Sequence, residues 1–225
     1  MNTKQLFSIA VIICGLLAGT IAAMWLVGSG PFRPPPPPPP PARDLSRASA
    51  GAAPPHARGA DTAPVTLEEF ADFQCPPCGS LHPELKKVEA EYGGRVRVIF
   101  RHYPLASIHL HAWEAAQAAE AAGLQGRFWE MHDLLFERQE EWSEAKEVRP
   151  LFTEYARSLK LDSDQFTRDM DAAGVKERIS ADRGRGDSVE ITGTPSLFLN
   201  GREVQGRTPD GLRAAIDTAL KEVKP

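Results

Sequence analysis

The chain has 225 residues, with 26 Lys and Arg against 30 Asp and Glu, for a net charge of −4 at pH 7. So mild an acidity gives no broad basic surface, and no nucleic-acid partner is expected. Three cysteines are too few to hold such a chain together as a disulfide framework. At roughly 150 residues per domain, the length accommodates one domain with additional segments.

The amino terminus is the first such segment. Leu6 to Gly28 contains no charged side chain, a run long enough to cross ~30 Å of hydrocarbon as a helix. A cleaved signal sequence has an apolar core of only about 7–15 residues and a small-x-small site. Thr20-Ile21-Ala22 is the nearest approach to such a site. Residues 1–30 are therefore read as a transmembrane anchor, with a signal sequence as the alternative. Cys14 is read as a small apolar residue within it. Arg33, Arg43 and Arg47 follow the run and outnumber Lys4 before it, so the distribution of positive charge leaves orientation open.

Residues 31–61 read as a proline-rich disordered linker. Pro34 to Pro41 is unbroken proline, which lacks backbone N–H groups and favours a polyproline II rod. At ~3.1 Å per residue the rod would extend ~25 Å. Ala42 to Ala63 has few large apolar residues and is expected to stay disordered. His56 within it reads as a solvated surface residue.

Residues 62–225 supply the folding material, enough for one sizeable core. Val65 to Phe70 predicts a strand, and the Gly79 to Tyr92 periodicity predicts a helix that begins at Pro76. Between them lie Cys75 and Cys78. Two cysteines at this spacing on a strand-to-helix turn read as a redox pair. They can close a disulfide at low strain while the first sulfur stays exposed. Val96 to Arg101 is β-branched and aromatic, a second strand. His111 to Ala122, Phe128 to Leu135, Pro150 to Leu159, Ser163 to Ala172 and Val175 to Val189 then predict consecutive helices. Ser196 to Leu199, the Asn200-Gly201 turn and Arg202 to Val204 predict a hairpin. Asp210 is read as the cap of a last helix, Leu212 to Val223. The order predicts an α/β domain, a small mixed sheet with a helical insertion at about 107–190.

Glu69-Phe70-x-Asp72-Phe73-x-Cys75-Pro76-x-Cys78, the inserted helices and Thr192-Gly193-Thr194-Pro195-Ser196 together resemble the DsbA-like thioredoxin-fold thiol–disulfide oxidoreductases. The resemblance covers 62–225. It implies a thioredoxin fold with a helical insertion and thiol–disulfide exchange outside the cytosol. It further implies cysteine-containing secreted proteins as substrates and a membrane redox partner that resets the pair. The expected location is the cell membrane, with the catalytic domain in the periplasm or on the outer face. No cofactor is called for.

Cys75, the expected N-cap, sits where free N–H groups and the helix dipole favour a thiolate, so it is read as the attacking sulfur. Cys78 is read as the resolving one. Pro76 suits the first helical position. Pro77 stands where many relatives carry a thiolate-stabilising histidine, which predicts a less acidic Cys75 and a less oxidising centre. The resemblance also implies a cis Thr194–Pro195 bond opposite the sulfurs, with the Thr194 backbone free to pair with an extended substrate. Two readings stand for Glu69: a buried acid that moves protons for Cys78, or an exposed strand-edge carboxylate. Glu68, on the opposite face, is expected to be solvated. The family's second acidic position falls on His82, a departure. Asp72 is read as a turn-former, and Trp113, Phe128 and Trp129 as insertion core. The alternatives are a thiol reductase, a metal carrier using Cys75 and Cys78 with His109 or His111, and a non-catalytic binding module.

Overall fold

The computed structural model describes residues 42–204 and 208–223. The transmembrane and polyproline readings of the amino terminus lie outside the described residues. Among the described residues, no helix is long and apolar enough to cross a membrane.

Five strands form one sheet: β1 (His56–Arg58), β2 (Val65–Ala71), β3 (Val96–His102), β4 (Ser196–Leu199) and β5 (Arg202–Glu203). Their spatial order is β1-β3-β2-β4-β5. β2 and β3 run parallel, joined by helix α1 (Pro76–Tyr92), and the other pairings are antiparallel. Six helices fill the interval between β3 and β4. They are α2 (Ala112–Leu124), α3 (Phe128–Glu137), α4 (Gln139–Trp142), α5 (Arg149–Ser158), α6 (Ser163–Met170) and α7 (Ala173–Asp187). Helix α8 (Pro209–Glu222) closes the chain. This is a thioredoxin-type α/β fold with a helical insertion.

Two of the buried clusters position the site. Val65, Leu67, Val96 and Val98 pack one sheet face on Leu85 and Val88 of α1 and on Leu212 and Ile216 of α8. Phe73 and Phe100 join Phe128, Phe136, Trp142 and Phe152 of the insertion in a second cluster. Each such side chain contributes about 1.5–3 kcal/mol by leaving water. The second cluster lies directly behind the cysteine turn and fastens the insertion to it.

Several expectations are corrected. The stretch read as disordered linker is folded from residue 42 onward. Arg43 pairs with Glu203 at 2.7 Å, and Leu45 is buried against Phe70 and Phe198. β1 extends the sheet by pairing antiparallel with β3. Ion pairs and backbone hydrogen bonds, such as Leu45 N to Gly201 O at 2.8 Å and Ala52 N to Asp182 Oδ1 at 2.8 Å, hold the stretch with Leu45, so low apolar content was no bar to order there. His56 is not solvated: its ring stacks on Phe128 at 3.4 Å, and its Nε2 lies 2.9 Å from Glu120 Oε1. Glu68 does face away from Glu69, but it is buried. Both Arg101 Nε and Arg185 Nε donate to its Oε1, at 2.7 and 2.8 Å. The second sheet face is covered by α7, which carries Arg185. The last helix is capped by Thr208, whose Oγ1 accepts from Gly211 N at 3.2 Å, and not by Asp210, which lies in its first turn. Helix α4 went unpredicted because only Trp142 in it is buried.

Candidate active site

Strand β2 ends at Ala71 and the chain turns through Asp72-Phe73-Gln74 into α1. Asp72 holds that turn. Its Oδ1 accepts from Gln74 N at 2.8 Å, and its Oδ2 accepts from Leu105 N at 2.8 Å and lies 2.7 Å from His109 Nδ1. Cys75 is the N-cap, with Pro76 and Pro77 supplying the next two residues. Neither proline brings an N–H, so the first amides of the turn are those of Cys78 and Gly79, which donate to Cys75 O at 3.0 and 3.1 Å.

The turn is also gripped from the insertion. Gln139, the first residue of α4, donates through Nε2 to Phe73 O at 2.6 Å and to Cys75 O at 3.0 Å. Gln74 answers by donating to Ser143 O at 2.8 Å. Gly79 makes room for this contact, because a Cβ there would lie 2.5 Å from Gln139 Oε1. The sequence carried no usable signal for Gln139, whose role depends on a partner 64 residues away.

Opposite the turn, the Thr194–Pro195 peptide is cis. Cys75 Sγ donates to Thr194 O at 3.4 Å. The Thr194 hydroxyl is buried beside that sulfur. Cys75 is only 5% exposed, less open than the spacing suggested, because Thr194 and Gln139 close on it from two sides. Cys78 is fully buried one turn along.

The two thiols differ in acidity. Hydrogen bonds from the Cys78 thiol, then the Thr194 hydroxyl and the Cys78 amide, hold the Cys75 thiol down at about 6, against the opposing effect of burial. Burial pushes Cys78 well up, and the neighbouring Cys75 and Glu69 add to that. Glu69, 3% exposed on β2, is raised to about 8 by burial and by the Glu89 carboxylate. Of its two readings, the buried one describes its position. The arrangement pairs an acidic thiol with a proton-retaining one, beside a carboxyl group that is protonated near neutrality.

The residues suggested for a metal carrier are not brought together. His109 is engaged by Asp72, and the Nε2 of His111 lies 2.8 Å from Ala145 O. Two clusters among the described residues have metal-ligating spacing, His56–His102–Glu120 and His82–His132–Asp133, and neither contains a cysteine. Arg178 already neutralises Glu120 at 2.8 Å, as Arg58 does Asp133 at 2.6 Å. Phe128 belongs to the insertion core, with Trp129 packed against the same cluster. Trp113 packs against a smaller cluster formed by Ala116, Val175 and Ile179.

Comparison with known proteins agrees with this geometry. The family model described as Thioredoxin matches residues 52–218. Among solved structures, the thioredoxin-like oxidoreductase of Silicibacter pomeroyi is 27% identical with a TM-score of 0.64, over 75% of this chain and 94% of that one. Oxidised BdbD of Bacillus subtilis superposes with a TM-score of 0.67 at 24% identity, over 77% of this chain and 98% of that one. Among curated proteins, the Na(+)/H(+) antiporter NhaA 3 of Salinispora tropica is 41% identical over 170 residues, 75% of this chain but 25% of that protein. The chain thus spans about a quarter of the length of the curated relatives it matches.

Proposed function

Because the chain belongs to the thioredoxin family, we propose that it is a DsbA-like thiol–disulfide oxidoreductase, a membrane-tethered enzyme acting outside the cytosol. It forms or exchanges disulfides in secreted, cysteine-bearing proteins through Cys75 and Cys78. The observation that carries this reading is the placement of Cys75 Sγ at the helix N-terminus, 3.4 Å from the carbonyl of the cis Thr194–Pro195 segment. An extended client strand has its backbone partner there, beside the sulfur it must meet.

Exchange proceeds in two displacements. In the reducing direction the Cys75 thiolate attacks a client sulfur, a mixed disulfide forms, and the departing client sulfur takes up a proton. Cys78 then attacks Cys75 Sγ, giving its proton to the ionised fraction of Glu69, and the client leaves as the reduced thiol. Oxidation of a client runs the same steps in reverse, and a membrane redox partner then restores the disulfide. The tether rests on the uncharged run Leu6 to Gly28, and the location on the need of an oxidant for a non-reducing compartment. No antiport activity is proposed for a chain that spans about a quarter of those relatives.

A second reading, a thiol reductase, is favoured by one feature. Pro77 replaces a thiolate-stabilising side chain, and Cys75 at about 6 lies nearer the value of about 7 for a reducing thioredoxin than the value of about 3.5 for a strong oxidant. The equilibrium potential of the pair against glutathione separates the two. A value near about −120 mV marks an oxidant and one near about −270 mV a reductant. Cys75→Ser tests both, since disulfide transfer at the wild-type rate by that variant removes the entire mechanism.

A further inference from the structure

A cleft of about 550 Å³ opens beside the nucleophile. Pro76 and Gly79 of the cysteine turn form one wall, Ile108 another, and the stretch from Glu137 to Glu144 the third. Ile108 is 71% exposed, an unusual state for a large apolar side chain next to a reactive centre. Four carboxylates line the third wall: Glu137, Glu140, Glu141 and Glu144. Lys86 pairs with Glu137 at 3.0 Å and Arg138 with Glu141 at 3.4 Å. Glu140 and Glu144 are exposed and make no ion pair among the described residues. The wall therefore presents two uncompensated negative charges to whatever enters. An apolar lip and an unmatched acidic wall flank the turn that carries one sulfur.

We infer that this cleft selects client segments with Lys or Arg within a few residues of the reacting cysteine. The inference rests on the thiol–disulfide reading above and names the substrate class for it. A client strand paired with Thr194 would pass its flanking side chains over the α4 wall. There Glu140 and Glu144 attract a basic residue and repel an acidic one, while Ile108 covers an apolar neighbour. The effect falls on encounter rate more than on lasting affinity, because both carboxylates are open to solvent.

The test uses the reduced protein and three extended peptides that differ only in the residues flanking one cysteine: Lys, Ser or Glu. Each peptide cysteine is first joined in a mixed disulfide to neutral 2-mercaptoethanol. The pair gives up two electrons and two protons, closing Cys75–Cys78 and releasing the peptide thiol and 2-mercaptoethanol. At low salt the Lys peptide should react about tenfold faster than the Glu peptide, with the Ser peptide between, and the spread should shrink as salt screens the wall. Glu140→Lys with Glu144→Lys should invert the order, whereas Glu177→Lys, a charge reversal on α7 outside the cleft, should keep it. Equal rates for the three peptides, with the Ser peptide still reduced in a Cys75-dependent way, would overturn the cleft inference alone. Absence of Cys75-dependent reduction of any peptide would overturn the parent reading and this one with it.

Discussion

Gln139 donates its side-chain amide to the backbone carbonyl of Cys75 at 3.0 Å, from a helix that belongs to the insertion. Gly79 is the residue that makes this contact sterically possible. Gly79→Ala should therefore be costly by about 1–2 kcal/mol, the loss of the two hydrogen bonds that Gln139 makes, as the added methyl displaces its amide. In a Gln139→Ala background the same change should instead stabilise by about 0.5–1 kcal/mol through helix propensity. A double-mutant cycle by urea unfolding reads the coupling. Additive effects would mean that Gln139 does not hold the turn.

The acidity of Cys75 sets the fraction of attacking thiolate. Its thiolate ultraviolet absorbance should titrate with a midpoint at about 6. Pro77→His restores a side chain that can stabilise the thiolate, and should lower that midpoint by about one unit. One unit is about 1.4 kcal/mol of thiolate stabilisation, so the pair should become about 30 mV more oxidising. A midpoint unchanged in the variant would show that position 77 does not act on the sulfur.

Glu69 ties stability to pH. Its folded value is raised to about 8 by burial, above the ordinary carboxylate range that it has when unfolded. A raised acid keeps its proton better in the folded state, so its contribution is complete below the unfolded value and is lost as pH rises toward 8. The wild type should therefore lose stability between about pH 4.5 and 8 relative to Glu69→Gln, which keeps a neutral side chain throughout. From about pH 4.5 to 7 the wild type should lose on the order of 3 kcal/mol relative to the variant. The variant should also resolve mixed disulfides more slowly, because Cys78 loses the ionised fraction of Glu69 as its proton acceptor. Parallel pH–stability curves for the two proteins would rule out a buried, protonated Glu69.

Most of the fold could be read from hydrophobic periodicity. β2, β3, β4 and the main helices lie within a few residues of their expected limits, because each is long or apolar enough to declare its period. The cysteine turn was legible for the same reason, with strand, turn and helix contiguous in sequence. What escaped notice depends on distant partners. Alternation along β2 separates Glu68 from Glu69 correctly, but it does not reveal that Arg101 and Arg185 close over the face that carries Glu68. His56 looked like a solvated linker residue because Phe128 and Glu120 are far along the chain. β1 has three residues and no apolar alternation, so only its pairing with β3 defines it. Thr208 takes the cap from Asp210 because the helix starts earlier, at Pro209.

The buried cluster that joins Phe73 and Phe100 to Phe128, Phe136, Trp142 and Phe152 has a consequence for how the molecule comes apart. Neither the sheet nor the insertion owns that cluster, so neither retains a finished interior once the other melts. Heating should release both cooperatively, with far-ultraviolet ellipticity and tryptophan fluorescence falling on one superimposable curve. Two resolved steps would mean that the insertion can open by itself. A cooperative melt would instead make the insertion a fixed wall around the sulfurs, unable to swing aside as a lid.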